Sequence, residues 1–432
     1  MKIAIAGYGI EGESNYKYWL SDPKNDLTIV DQRQPDREIP DGAKTIISED
    51  AFSKLNDFDI VVRTAGLNPH KIQTDGVVWS ATNEFFEKCP AQIIGVTGTK
   101  GKGTTASIIV SILKESGKKV WLLGNIGIAS LDYLSKINPQ DIVVYELSSF
   151  QLWDLQRSPH IAVVLLVEPE HLDVHTNFED YVDAKKNIRL YQKDEDICIF
   201  HPTNIYSRKI AESTNLGVAI RFGIEDDGGV YIKDGKFCQY EHNICSVNSL
   251  QLIGVHNLDN ACAAVTAAKH FDISDDCIKK GLEVFKGLPH RLEFVRDFNG
   301  VSYYNDSFSS SVTATVAAIN SFSQPEVVII GGIDRGGNFD EIAEVISKKI
   351  NVKATIVIGK IKNKLVEILN TKNLNIQIIP SDLITMQEIV ELAKSFSEPG
   401  DVVILSPGCA SFDMFKDFYD RGDQFRKAVN EL

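Results

Sequence analysis

The chain has 432 residues, a formal net charge of −14, 43% apolar residues and 24% charged ones. That apolar share can fill several cores, the length suggests about three domains, and the acidic balance argues against broad binding to nucleic acid or to an anionic membrane. No apolar stretch approaches the ~18 residues of a membrane span, and the seven scattered cysteines contain no CxxC pair, which argues against a disulfide framework or a zinc knuckle.

The first block opens with MKIAIAGYG, which reads as strand and turn rather than as a secretory signal, so a reducing cytoplasm is the expected location. The strand Ile3–Ala6 runs into GYGIEG, with Gly7, Gly9 and Gly12, and a polar-aromatic helix follows. A second strand, Leu27–Val30, ends at Asp31. Glycines for a tight turn, and an acid about 20 residues on for a ribose hydroxyl, are the spacing of a nucleotide fold, although a turn without ligand reads the same way. The strand Ile60–Arg63 leads into TAGLNPH, and the block closes near Cys89–Pro90, which leaves little room for a full NAD-binding sheet.

The second block holds VTGTKGKGTTAS, Val96–Ser107, between an apolar run and the helical run Ile108–Leu113. The backbone of Gly98, Thr99, Lys100 and Gly101 can turn N–H groups toward an anion at a helix N-terminus. Lys102 can reach the outer phosphates of a nucleoside triphosphate, and Thr104 and Thr105 offer hydroxyls for magnesium. Gly103 after the lysine departs from the usual phosphate-loop pattern. The bland alternative is a glycine-rich turn. Apolar runs at Lys119–Leu123, Ile142–Glu146 and Ala162–Val167 predict buried parallel strands. Glu146 ends one of them, as a helix cap or a magnesium ligand. EPEHLDVH follows the next, with Glu168, Glu170, His171, Asp173 and His175. It reads as a solvated loop or a metal site, and magnesium ranks above a His-x-x-x-His zinc because phosphate chemistry already needs it. YVDAKKNIRLY is an amphipathic helix with Lys185 and Lys186, a pair whose plainest reading is a solvated surface. Residues 221–250, with GIEDDGGVYIKDGKF, predict a hairpin excursion, and helix returns over Asn257–Phe271.

The third block follows GLPHR, Gly287–Arg291. Strands are expected at Val301–Asn305, Glu326–Ile330, Ala354–Ile358, Ile376–Ile379 and Asp401–Leu405, with helices such as Asp340–Ser347 and Met386–Ser397 between them, in a further doubly wound sheet. The expected architecture is α/β in three domains. These are a Rossmann-like domain over 1–89, a central phosphate-loop domain over 90–287 and a C-terminal Rossmann-like domain over 288–432.

Taken together, GYGIEG with Asp31, TGTKGKGTT, GNIG (Gly124–Gly127), YELSSFQL, EHLD, YVDAK, GVHNLDN (Gly254–Asn260), GLPHR, YNDSFSSS (Tyr304–Ser311), GGIDRGG (Gly331–Gly337) and SPGCASFDMF (Ser406–Phe415) resemble the Mur ligase family. The likeness spans the chain in order and is nearest to the branch that adds D-glutamate to UDP-N-acetylmuramoyl-L-alanine. It implies an ATP-dependent acid–amino-acid ligase of peptidoglycan precursor synthesis, working through an acyl phosphate and closing its domains to exclude water. The partners implied are small molecules only (the UDP-muramyl substrate, glutamate, ATP and Mg2+), and the expected form is a monomer without stable membrane association.

By the same resemblance, Gly9, Ile10, Glu11, Asp31 and Arg33 would contact the uridine diphosphate, with Asn125 and Gln151 toward the muramyl peptide. Lys102 would hold the β- and γ-phosphates. Thr104 and Glu146 would hold one magnesium ion and His171 a second. Lys185 falls on the lysine that the family carries as a carbamate. Asn260, Arg291 and Asp306 would meet the nucleotide, and Ser310, Arg335, Ser411 and Phe418 the amino acid. The pattern departs at Gly103, at EPEH, and at Phe308, which stands where well-known members have a lysine near the amino-acid carboxylate. Three alternatives stay open: the same reaction with L-glutamate, a nicotinamide oxidoreductase built on Gly7–Gly12 and Asp31, and a non-catalytic relative.

Overall fold

In the computed structural model, which describes residues 1–126, 128–225, 227–372 and 376–432, each of the three blocks of the chain builds its own largely parallel sheet. Gly127 of GNIG and Asp226 of the expected hairpin excursion lie outside the described residues. The first sheet comprises β1 (Lys2–Ala6), β2 (Asp26–Asp31), β3 (Lys44–Ile47), β4 (Ile60–Arg63) and β5 (Val77–Ser80), in the order β3-β2-β1-β4-β5. Along β1, Ile3 and Ile5 enter one apolar cluster and Ala4 and Ala6 the opposite one. Both faces are therefore covered, as an all-parallel sheet requires.

The second sheet comprises β6 (Gln92–Thr97), β7 (Val120–Gly124), β8 (Ile142–Glu146), β9 (Ile161–Val164), β10 (Ile197–Phe200) and β11 (Val218–Arg221), in the order β11-β10-β9-β6-β8-β7. The expected excursion is an antiparallel sheet of β12 (Tyr231–Lys233), β13 (Lys236–Gln239) and β14 (His242–Ser246). The third large sheet comprises β15 (Glu293–Phe298), β16 (Val301–Asn305), β17 (Glu326–Gly331), β18 (Val352–Ile358), β19 (Gln377–Pro380) and β20 (Val402–Leu405). Its order is β15-β16-β20-β17-β18-β19, and only the β15–β16 pairing is antiparallel.

The chain divides into two compact units, Met1–Leu250 with Val255–Phe285, and Gln251–Gly254 with Lys286–Leu432. The first two expected domains thus share one unit. The physical reason is a polar seam across residue 89. Arg63 is fully buried, with Nε and Nη2 each 2.6 Å from Asp154 carboxylate oxygens. It also donates to the carbonyls of Thr64, Ala65, Leu67 and Phe150. A buried guanidinium is tolerable when its donors are used in this way. The Ser14 hydroxyl also donates to Asp132. No helix among the described residues is long and apolar enough to cross a membrane.

Candidate functional site

The central strand β6 ends in the loop Gly98–Gly101, and the helix Lys102–Glu115 leaves it. Gly101 is left-handed at φ +84, and a Cβ there would lie 2.4 Å from the Asn260 side-chain oxygen. A glycine is therefore required, and Asn260, on the helix Val255–Lys269, is brought against the loop. Lys102 folds back to donate to the carbonyls of Gly98 (3.1 Å) and Thr99 (2.9 Å). Thr99 donates to the Glu168 carbonyl and accepts from the Glu168 N–H, which ties the loop to the segment after β9. Lys100 is exposed, and Gly103 and Thr104 are half-buried on the first turn. Thr105 is fully buried, and its hydroxyl has no partner. Of the two threonines, Thr104 is the one with solvent access.

Glu146 is buried at the end of β8 and accepts a hydrogen bond from Asn125 Nδ2, after β7, at 3.1 Å. It does not cap the next helix, because Ser148 and Gln151 close a capping box there. Gln151 Oε1 is committed to that box, accepting from the Ser148 N–H and hydroxyl. His171 takes a left-handed backbone (φ +57), and its ring lies 5.0 Å from that of Phe150. No hydrogen bond or ion pair joins Thr104, Glu146 and His171 among the described residues, nor do three or more His, Cys, Asp or Glu side chains form a metal cage there. The oxygen donors of Thr104 and Glu146 fit Mg2+, which keeps waters and phosphate oxygens in its shell. The zinc reading fails on His175, which is buried with Nε2 3.0 Å from Ser149 Oγ and Nδ1 3.4 Å from Asp180 Oδ2.

The lysine pair is not a solvated face. Lys186 pairs with Asp183 on the helix Phe178–Leu190, but Lys185 is 1% exposed. Its ammonium donates to Thr97 Oγ1 and the Gly98 carbonyl, both at 3.1 Å, over the Tyr181 ring. Burial pushes it well below the ordinary lysine range, and the Lys102 charge adds to that shift.

Asp31 and Arg33 line a cleft of about 570 Å³ with Gly7, Thr64, Asn68, Lys71 and Asp173. The carboxylate of Asp31 already accepts the backbone N–H groups of Tyr8 and Gln32. Gly9 precedes the helix Ile10–Leu20, Ile10 is exposed, and Glu11 accepts the Ala65 N–H at 2.7 Å.

In the second unit, Asp306 follows β16 and is buried, accepting the Leu292 N–H and the Ser406 hydroxyl. Burial raises its carboxyl to about 6. The Arg291 guanidinium lies 3.7 Å over the Phe308 ring, whose neighbour Phe418 stands edge-on at 4.9 Å. His290 (φ +63) and Leu292 (φ +44) flank Arg291 in left-handed conformations, a strain that persists only where surroundings hold it. The loops after β17 and β20 pair through Ile333 and Ala410, which places Arg335 and Ser411 on adjoining loops. Arg335 and Ser310 are exposed, whereas Ser411 is buried. Sequence reasoning missed Arg421, which is buried and donates to Ser307 and the Cys409 carbonyl. It also missed the partners of His175. A lone arginine or histidine on a helix or loop carries no signal of what it will face.

Residues 96–268 match the family model described as the Mur ligase middle domain. A UDP-N-acetylmuramoylalanine–D-glutamate ligase of Acetivibrio thermocellus is 40% identical over 458 residues, covering 100% of this chain and 96% of its own. Its counterpart in Clostridium kluyveri is 36% identical over 450 residues, covering 100% and 97%. A UDP-N-acetylmuramate–alanine ligase structure from Thermotoga maritima aligns with TM-score 0.62 at 15% identity over 100% of this chain and 99% of that one. The MurF ligase of Thermotoga maritima in complex with ADP aligns with TM-score 0.62 at 18% identity, covering 99% and 94%.

Proposed function

The chain belongs to the Mur ligase family, and from that premise we propose that it uses ATP to join D-glutamate to UDP-N-acetylmuramoyl-L-alanine. The observation that carries the reading is the convergence of Lys102 and the buried Lys185 on the Gly98 carbonyl, at the mouth of a helix-opening glycine loop. In this reading 1–89 is the UDP-substrate domain, 90–287 the ATP domain and 288–432 the amino-acid domain.

A carboxylate is a poor acyl donor. A carboxylate oxygen of the muramyl-alanine attacks the γ-phosphorus as the bond from that phosphorus to ADP breaks, so that the carboxyl becomes an acyl phosphate with phosphate as its leaving group. The glutamate amine attacks, and the tetrahedral species expels phosphate to leave the amide. Lys102 and the N–H groups of Gly98–Gly101, with Gly103, Thr104 and Thr105 on the first turn, are assigned to the phosphates, and Asn260 to the nucleotide. Thr104, Glu146 and His171 are the candidate ligands of Mg2+, which supplies positive charge at the phosphates when bound.

Lys185 is assigned as a carbamate. Burial favours the uncharged amine, which is the form that attacks CO2; the carbamate forms with loss of a proton, and the resulting anion would face the Lys102 ammonium in place of a second cation. Gly9, Ile10, Glu11, Asp31 and Arg33 are assigned to the uridine diphosphate, and Asn125 and Gln151 to the muramyl peptide. In the second unit Arg291 and Asp306 are assigned to the nucleotide. Arg335, Ser310, Ser411 and Phe418 are assigned to the amino acid, where Arg335 can form a bidentate pair with a carboxylate.

The test is ADP release with UDP-N-acetylmuramoyl-L-alanine against a panel of amino acids. D-glutamate is expected to drive turnover. Preference for L-glutamate, diaminopimelate, lysine or alanine overturns the substrate assignment, and no ADP release with any of them overturns the reaction.

A further inference from the structure

Three segments carry the groups assigned to phosphoryl transfer: the exit of β8 with Glu146, the loop with His171, and the helix Phe178–Leu190 with Lys185. One side chain touches all three. His175 follows His171 in the loop, places Nε2 3.0 Å from Ser149 Oγ just beyond Glu146, and places Nδ1 3.4 Å from Asp180 Oδ2 on the Lys185 helix. We propose that His175 is a positioning residue of the phosphoryl-transfer site, acting through this Ser149–His175–Asp180 relay; the inference rests on the ATP-dependent reading above.

The geometry sets a single arrangement. Asp180 is an acceptor at both oxygens. Oδ2 takes the Thr176 N–H at 3.0 Å and Oδ1 the Trp153 indole N–H at 3.2 Å. Nδ1 of His175 must then be the donor, which leaves Nε2 to accept the Ser149 hydroxyl. The ring is slotted against Phe150 (centroids 5.5 Å apart, planes at 13°) and Trp153 (4.1 Å), with Tyr181 edge-on at 5.3 Å. The Tyr181 hydroxyl in turn shares a hydrogen bond with Thr99 Oγ1 of the phosphate loop at 3.0 Å. Ser149 is buried, so the trio is not a nucleophile presented to substrate. It holds neighbours in place, and a displacement of about 1 Å at a reacting group costs up to about 100-fold in rate.

Four variants test this: His175→Phe, which keeps an aromatic ring in the slot and loses both hydrogen bonds; His175→Gln, whose amide oxygen reaches toward the Nε2 position; Ser149→Ala; and Ser149→Ala with His175→Phe. Turnover and thermal unfolding are measured by ADP release and calorimetry on the full chain. The expected result is a fall of about tenfold or more in kcat for His175→Phe, with KM for ATP and for the UDP substrate within about threefold. His175→Gln recovers part of that loss, and the double variant is no worse than the lower single one. Wild-type kcat in His175→Phe, a change in KM alone, or additive losses overturn the relay. Should His175→Phe not fold, Ser149→Ala decides, and unchanged kcat there overturns it. Absence of turnover in the unmodified protein overturns both readings, whereas normal wild-type turnover with an indifferent His175→Phe overturns the relay alone.

Discussion

Among the buried ionisable side chains of each unit, one at each site can be compared directly: burial favours the neutral form of both, but the chemistry made available differs. In the first unit the Lys185 amine is pushed well below the usual lysine range, packed against Thr97, Gly98 and Tyr181 with a second lysine nearby. In the second, Asp306 is an acid raised to about 6, accepting hydrogen bonds from Leu292 and Ser406. Burial favours the uncharged amine of Lys185, the form on which the proposed carbamate would be built. A carboxyl among donors is a fixed strut that positions the strained segment around Arg291. Both sites mix buried and exposed groups: Glu146 and Lys185 stand with exposed Lys100 and His171 in the first, and Asp306 and Ser411 with exposed Phe308 and Arg335 in the second. On the proposed assignment, the groups of phosphoryl transfer lie in the first unit and those that select the amino acid in the second.

The largest test of that contrast is Lys102→Ala. ADP release is expected to fall by about 100-fold or more, since the contact is strongest where charge develops. Near-normal turnover would reduce the first site to a glycine turn. Lys185→Ala follows, with a fall of about 100-fold, partly reversed by acetate supplied as a small anion. Lys186→Ala, altering a half-buried partner of Asp183, is expected to stay near wild type. A carbamate signal with 13C-labelled CO2, present in the wild type and lost in Lys185→Ala, checks the chemistry directly.

The selective site is probed by Arg335→Ala. Loss of a charge-assisted bond of ~1.5–3 kcal/mol is expected to raise KM for glutamate about tenfold or more while KM for ATP stays put. A smaller effect is expected from Phe308→Leu, which removes the ring under Arg291. The cation–π contribution of ~0.5–2 kcal/mol implies a two- to roughly thirtyfold rise in KM for ATP, with Phe308→Tyr spared.

The smallest effect is the pH dependence of stability. Asp306 titrates near 6 in the fold and near 3.9 in the unfolded chain. Between those values the native state binds more protons, so its contribution is fully present below about pH 4 and is lost as pH rises through about 6. Asp306→Asn is expected to flatten the melting temperature across that window. An unchanged slope would show that another group sets it.

Much of the fold was legible because its signals are local. Apolar β-branched runs ending in glycine, as in Ile93–Gly98 and Ile3–Gly7, mark buried parallel strands entering phosphate-type turns, and the strands formed there with shifts of a residue or two at their ends. The turn-rich stretch with Asp234 and Gly235 is likewise a hairpin. The placement of candidate residues that follow strands, Lys102 after the β6 loop, Glu146 at the end of β8 and Asp306 after β16, was legible for the same reason, since chain position alone puts them at the carboxyl edge of a sheet. The division into units was not. The Arg63–Asp154 pair that fuses the first two blocks joins residues far apart in sequence, and neither partner announces the other.

The sequence by itself determined which segments become strands, where the glycine loops fall and which chemistry those loops can host, because backbone sterics and side-chain periodicity act over a few residues. Tertiary structure alone decided which of two adjacent lysines is buried and which of two nearby histidines is locked. Lys185 lies one helical turn from Tyr181 and shares its inward face, while Lys186, rotated by about 100°, meets Asp183 and solvent. His175 is buried between Ser149 and Asp180, while His171 stays half-exposed. Those outcomes depend on what packs across from each side chain, which is a property of the assembled sheets and helices and not of any single segment.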